Sequence, residues 1–289
     1  MGVRPKARSF LFDLLSTLRH GTMPVGALVE AGELFGIAAN STRVALARML
    51  ATGEVSRDER GRYRLGPSSQ SVERRVTSWR EIERQCRRWE GGWIGVQLAA
   101  ASRDGGRAER AEREQALRLL GFRRLAPALA IRPDNLRARV GEIREELVAL
   151  GLPKSDLVFE VRALDGAAER SARRLWDDGD LRGAYSRLLS EIEKSARRLP
   201  DAPHQEAMVE SFLLGGRAIR HLVLDPLLPD AICPGDERRA LIEAMRRYDR
   251  IGRAVWAAFL ERFDVPHLRS PVDTHGGRVH EAALERDSR

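Results

Sequence analysis

Between Ser9 and Leu65 the apolar positions follow a helical period three times and then switch to alternation. Phe10, Leu11, Leu14, Leu15 and Leu18 fall on one face at helical spacing. A second helix is predicted to start near Pro24, with Thr22 as its cap and Val25, Leu28, Val29 and Leu34 turned inward. Gly36 stops it. Asn40 or Ser41 then caps a third helix running to about Thr52, which buries Leu46, Met49 and Leu50. Gly53 ends that helix, and two short strands flank the turn Asp58-Glu59-Arg60-Gly61. The order is helix, helix, helix, hairpin.

Pro67-Ser68-Ser69-Gln70-Ser71 has linker composition. A charged helix over Val72 to Trp89 follows, with Val76, Trp79, Ile82 and Cys86 on one side. The pattern then predicts a strand from Trp93 to Ala99, a helix from Ala108 to Leu120, and two strands within Phe122–Ile131 around Ala126-Pro127. A helix over Leu136–Leu150 and a strand over Leu157–Leu164, with Val158, Glu160 and Arg162 alternating, complete a βαββαβ order that fits a ferredoxin-like domain. Beyond Gly166 helices are predicted near Ala168–Trp176, Leu181–Leu199, Gln205–Leu224 and Glu237–Phe263. Asp225-Pro226-Leu227-Leu228-Pro229 is a break that no helix runs through. The fold class is therefore α+β. Its expected parts are a DNA-binding domain at 1–66, a linker helix at 67–91, a central domain at 92–165, a helical domain at 166–265 and a flexible tail at 266–289.

Composition narrows the field of functions. No apolar run approaches the roughly 20 residues of a membrane span. The start MGVRPKARSF has no signal-peptide core, so a cytoplasmic protein without a membrane partner is expected. Cys86 and Cys233 are too few for a disulfide framework. The net charge of +8 favours a polyanionic partner, but all except Lys6, Lys154 and Lys194 of the 50 basic residues are arginine. Such a bias often reflects a GC-rich genome, so the position of the charge carries more weight than its total.

Position favours nucleic acid. A rotation of roughly 100° per residue turns Asn40, Ser41, Val44 and Arg48 away from the buried face of the third helix, with Arg43 on the flank. Arginine bonds the guanine edge, Asn and Ser meet bases or phosphates, and Val44 suits a thymine methyl. Arg57, Arg60, Arg62 and Arg64 in the hairpin suit phosphate or minor-groove contacts, while Asp58 and Glu59 oppose deep insertion. This is the pattern of a winged helix-turn-helix that binds double-stranded DNA. The alternative is a winged-helix module for protein contacts, with no operator of its own.

Four segments carry a family resemblance: NSTRVALARMLATGEVSRDERGRYRLG, WEGGWIGVQLA, LLGFRRLAPALAIRP and DPLLPDAICPGD. Together they resemble the PaaX-like regulators, the repressors of phenylacetic acid degradation. The resemblance implies an N-terminal winged helix, a ferredoxin-like centre and a helical C-terminal domain. It also implies a homodimeric repressor of an aromatic catabolic operon, released from DNA by a CoA thioester such as phenylacetyl-CoA. Two departures are visible: Pro234-Gly235-Asp236 lacks the tryptophan that precedes the Pro-Gly in many relatives, and the C-terminal tail is longer. A dimer would set two recognition helices about 34 Å apart on an inverted-repeat operator.

A CoA ligand needs cations for its phosphates and an apolar slot for its acyl group. Arg132, Arg217 or Arg220 beside His221 are candidates for the first, and Trp93 and Trp176 for the second. Each has a plainer reading as a core aromatic or a solvated arginine. No nucleotide-loop motif supports them. No resident cofactor is expected, nor a metal, because no histidines lie at i, i+4 and no cysteines are paired. No G-x-S-x-G appears, and the chain is not expected to be an enzyme. A remote alternative is a ferredoxin-like nuclease, for which Asp104 is the only carboxylate near the end of the first strand; it reads as a turn residue.

Overall fold

The computed structural model describes residues 5–18, 21–69, 76, 78–99, 106–177 and 180–266. Asp104, most of the 70–77 segment of the linker helix and nearly all of the 266–289 tail lie outside them. The chain divides into two compact units that do not follow chain order. The first comprises Met1–Ser78, Ser190–Ile219 and Glu243–Arg289, the second Trp79–Leu189 and Arg220–Ile242.

The first unit opens with α1 (Ala7–Ser16), β1 (Met23–Pro24), α2 (Val25–Leu34), α3 (Ala39–Ala51), β2 (Val55–Arg57) and β3 (Arg62–Leu65). The strands form an antiparallel sheet in the order β1-β3-β2, with Met23 opposite Tyr63 and Arg57 also opposite Tyr63. Thr22 is therefore not a helix cap, because β1 intervenes and α2 begins after Pro24. Val25 is turned outward, and Ala27, Leu28, Val29, Ala31 and Gly32 form the buried stripe. Gly36 stops α2 at a φ of 71°, left-handed backbone that favours glycine.

The core of this unit is non-local. Phe10, Leu11, Leu28, Phe35, Leu46, Met49 and Tyr63 pack in one cluster with Met208, Trp256, Phe259 and Leu260. The last four belong to the long C-terminal helices, labelled below as α8 (His204–Val223) and α9 (Asp236–Arg262). Phe10, Phe35 and Phe212 form a triangle with ring centroids 4.7, 5.5 and 5.1 Å apart. Trp256 continues it 5.9 Å from Phe212 and donates its indole N–H to the Met208 carbonyl.

The second unit contains β4 (Trp93–Gln97), α4 (Arg107–Leu119), β5 (Arg123–Ala126), β6 (Leu129–Pro133), α5 (Val140–Ala149) and β7 (Leu157–Val161). Every strand pair is antiparallel, and the order is β5-β6-β4-β7. The register puts Trp93, Ile131 and Val161 on one sheet face, where Ala172, Trp176 and Leu228 complete a cluster. Phe159 lies over Gly95, where a Cβ would sit 2.8 Å from its ring. Three expected elements are shorter than predicted: the first strand stops at Gln97 rather than Ala99, the helix begins at Val140 rather than Leu136, and the last strand stops at Val161. Ser78–Gln85 is 3-10 helix kinked at Glu81, not a regular turn of a long linker helix, with Trp79 and Ile82 buried.

After β7, α6 (Gly166–Arg173) starts under a cap in which Asp165 accepts from the backbone N–H groups of Ala167 and Ala168. α7 (Leu181–Arg198), α8 and α9 supply residues to both units. Among the described residues no helix is long and apolar enough to cross a membrane.

Candidate nucleic-acid interface

The position of α3 depends on a close approach that apolar patterning does not reveal. Thr42 is completely buried, and a Cβ on Gly32 would lie 2.9 Å from its hydroxyl. Glycine in α2 thus lets α3 come close, and the buried stripe of α3 is Thr42, Leu46 and Met49. Leu50, expected inside, is 41% exposed, because the stripe is rotated by one position toward Thr42. The helix starts at Ala39 after Ala38, so Asn40 and Ser41 lie in its first turn and do not cap it.

That rotation leaves the expected face open. Asn40, Ser41, Arg43, Val44 and Arg48 are all exposed. The guanidinium groups of Arg43 and Arg48 have no ion-pair or hydrogen-bond partner among the described residues. First-turn amides of a helix also carry partial positive charge, so the N-terminal end of α3 favours an anion. Glu54, just past the helix, is occupied elsewhere: hydrogen bonds from Arg8 and Thr52 hold its carboxyl below the usual range.

In the hairpin Asp58 builds the turn. Its carboxylate accepts from the backbone N–H groups of Arg60 and Arg62, and Gly61 closes the turn at a φ of 75°. Asp58 is thereby a turn-forming residue as well as a tip charge. Arg57 and Arg60 are exposed, Arg57 with its guanidinium 5.8 Å from the Tyr63 ring centroid. Arg64 is exposed and donates to the Ser56 hydroxyl. Arg62 differs from its neighbours, since its guanidinium bonds Thr22 and the carbonyl of Asp264.

The residues considered for a CoA ligand do not form one cluster. Trp93 and Trp176 do meet, stacked with centroids 6.3 Å apart, but both are buried in a shared core. The Trp93 indole N–H donates to Glu169. Arg132 is 2% exposed and donates to the carbonyls of Leu120, Pro133 and Pro226 and to the Asn135 side chain. Burial lowers its pKa to about 10, still high enough to keep it cationic at neutral pH. It ties the Asp225-Pro226-Leu227 segment to the sheet, as Asn135 does through the Leu227 carbonyl. These atoms are occupied within the unit itself. Arg217 belongs to the other unit and pairs with Glu191. Arg220 is exposed, and His221 lies edge-on against the Tyr185 ring, its pKa lowered by burial. Among the described residues no group of acidic, histidine or cysteine side chains is arranged to hold a metal ion.

A three-helix segment ending in an arginine hairpin, with an open polar and cationic helix face, is a surface suited to a polyanion. Residues 6–68 match the family described as PaaX-like protein. The family points to transcription regulation and DNA binding. A solved structure, the uncharacterized protein Rv0674 from Mycobacterium tuberculosis, is similar over 88% of this chain and 98% of its own, with 24% identity and a TM-score of 0.61. That likeness concerns the fold. No curated protein matches.

Proposed function

We propose that the chain is a sequence-specific DNA-binding regulator and not an enzyme. Its first unit works as a winged helix-turn-helix with α3 as the recognition helix. The second unit reads as a ferredoxin-like domain, supported by its βαββαβ order and β5-β6-β4-β7 arrangement. The observation that carries the reading is the open face of α3, where Asn40, Ser41, Arg43, Val44 and Arg48 are presented together. Arg57, Arg60 and Arg64 supply backbone contacts from the hairpin.

By the family match we further propose a homodimeric repressor of a phenylacetate-type catabolic operon, acting on an inverted repeat and released by an aryl-CoA thioester such as phenylacetyl-CoA. Release requires the thioester to bind the DNA-free form more tightly. DNA then weakens thioester binding by the same factor. The test is a binding titration on the gene's own upstream DNA at about 150 mM salt, a concentration at which non-specific attraction is weakened. Tight binding reversed by phenylacetyl-CoA but not by phenylacetate supports the whole reading. Tight binding indifferent to both compounds removes the effector. An absence of specific binding replaces the regulator with a protein-interaction module.

A further inference from the structure

We propose that Arg62 is a positioning residue, which latches the arginine hairpin to the end of α9 and so sets the angle at which the hairpin meets DNA. The proposal rests on the DNA-binding reading above. Among the hairpin arginines Arg62 alone has its guanidinium bound to main chain outside the hairpin, among the described residues. Its Nε donates to the Thr22 hydroxyl at 3.0 Å, and its Nη2 donates to the Thr22 carbonyl at 3.2 Å and to the Asp264 carbonyl at 2.6 Å. Thr22 adjoins Met23–Pro24, which pair with Tyr63 and Arg62 in the sheet. Asp264 lies 202 positions away along the chain.

The far side of the latch is built to hold still. α9 ends in a closed turn, with the Asp264 N–H bonded to the Glu261 carbonyl and the Val265 N–H to the Leu260 carbonyl. Asp264 adopts a φ of 51°, a left-handed conformation that Asp tolerates better than most residues, and Val265 is buried. Around this turn Arg262 pairs with Glu30 of α2 and lies over the Phe259 and Phe263 rings. Phe263 also meets Gly26 of α2, where a Cβ would sit 3.9 Å from its ring. The end of α9 therefore touches both the helix preceding α3 and the hairpin following it. A guanidinium bridging these acceptors has a fixed fork that an ammonium does not reproduce.

The experiment compares wild type, Arg62→Ala, Arg62→Lys, Thr22→Val and Arg60→Ala in the full chain. DNA binding is titrated over a range of salt concentrations, and amide hydrogen exchange is followed in the DNA-free protein. Arg60→Ala is expected to flatten the log-affinity salt slope by about 0.9, as loss of one phosphate contact does. Arg62→Ala is expected to weaken binding roughly tenfold with an unchanged slope, and to speed exchange in both the hairpin and residues 259–265. Arg62→Lys, which keeps the charge, is expected to rescue little, and Thr22→Val to act in the same direction more weakly. A flattened slope for Arg62→Ala, rescue by Lys and unchanged exchange would overturn the latch. If wild type binds no specific DNA, the regulator reading fails by itself. The exchange data then decide the latch: faster exchange at both ends supports it, and unchanged exchange refutes it.

Discussion

Arginine does opposite work in the two units of this molecule. In α3 and the hairpin, Arg43, Arg48 and Arg60 stand exposed, their guanidinium groups without an acidic partner among the described residues. In the second unit Arg113 and Arg132 are buried and bound inside the fold. Arg113 lies 3.0 Å from Asp156, off the ideal hydrogen-bond direction, and also donates to the Ala99 carbonyl. Arg132 is held by three carbonyls and one amide oxygen, with no carboxylate. The difference shows why a net charge of +8 says little about partners. Exposed arginines without an acidic neighbour contribute most to the local field that an approaching polyanion meets.

The largest break in this contrast is expected at Asp156. Asp156→Ala removes the partner of a buried cation and also an acceptor for the Ala99 N–H. Breaking a buried pair from one side costs about 3–5 kcal/mol. A urea unfolding titration that shows less than about 1 kcal/mol, the range of an exposed pair, would mean Arg113 finds water. Arg132→Met comes next, at about 3 kcal/mol, because several buried acceptors lose their donors while the volume is nearly kept. The matched substitution Arg43→Met on the open face is expected to change stability by less than about 0.5 kcal/mol. Equal losses at the two positions would erase the distinction.

Arg48→Ala turns the comparison from stability to binding. Its loss is expected to cost about 1–3 kcal/mol of operator affinity and to relax preference at one base position, with the unfolding midpoint unmoved. Selection from a randomised operator library measures the second effect directly. An operator affinity unchanged by Arg48→Ala would remove α3 as the reading helix.

What the sequence allowed one to read follows from how local each feature is. The open face of α3 was legible because a helical period and a cluster of arginines are neighbours in the chain. A hydrophobic pattern places Leu50 inside because Thr42 counts as polar, and the burial of Thr42 depends on Gly32 in another helix. Arg62 looked like its neighbours, since nothing within the hairpin signals a carbonyl 202 positions away. The same applies to Phe212 and Trp256, which lie in the helices predicted near Gln205–Leu224 and Glu237–Phe263, where nothing local signals a core shared with Phe10 and Phe35. The Asp225-Pro226-Leu227-Leu228-Pro229 break was visible as a break, but its purpose was not. Its carbonyls satisfy Arg132 and Asn135, and Gly121, at a φ of 74°, leaves room for Pro226.

The smallest effect concerns an imidazole whose charged form is disfavoured by burial in the second unit. His221 is half-buried, and the Tyr185 ring stands edge-on to it at 5.5 Å. Burial lowers the imidazole pKa, and Asp225 only partly opposes that shift. Asp225 is itself engaged, accepting from the Tyr185 hydroxyl at 2.7 Å and lying 3.6 Å from Arg238. The folded state therefore binds the proton less readily than the unfolded chain, whose histidines titrate near pH 6.5. Stability from this site is fully present above that value and is lost as pH falls from it toward the lower folded-state pKa. Urea midpoints for wild type and His221→Gln at pH 7.5 and pH 5.5 isolate the contribution, because other carboxylates and histidines titrate alike in both proteins. Wild type is expected to lose more stability on acidification than the variant. An equal loss would mean that the imidazole is hydrated in the folded state, and that the second unit disfavours its charged form less strongly than the burial of Tyr185 and Asp225 implies.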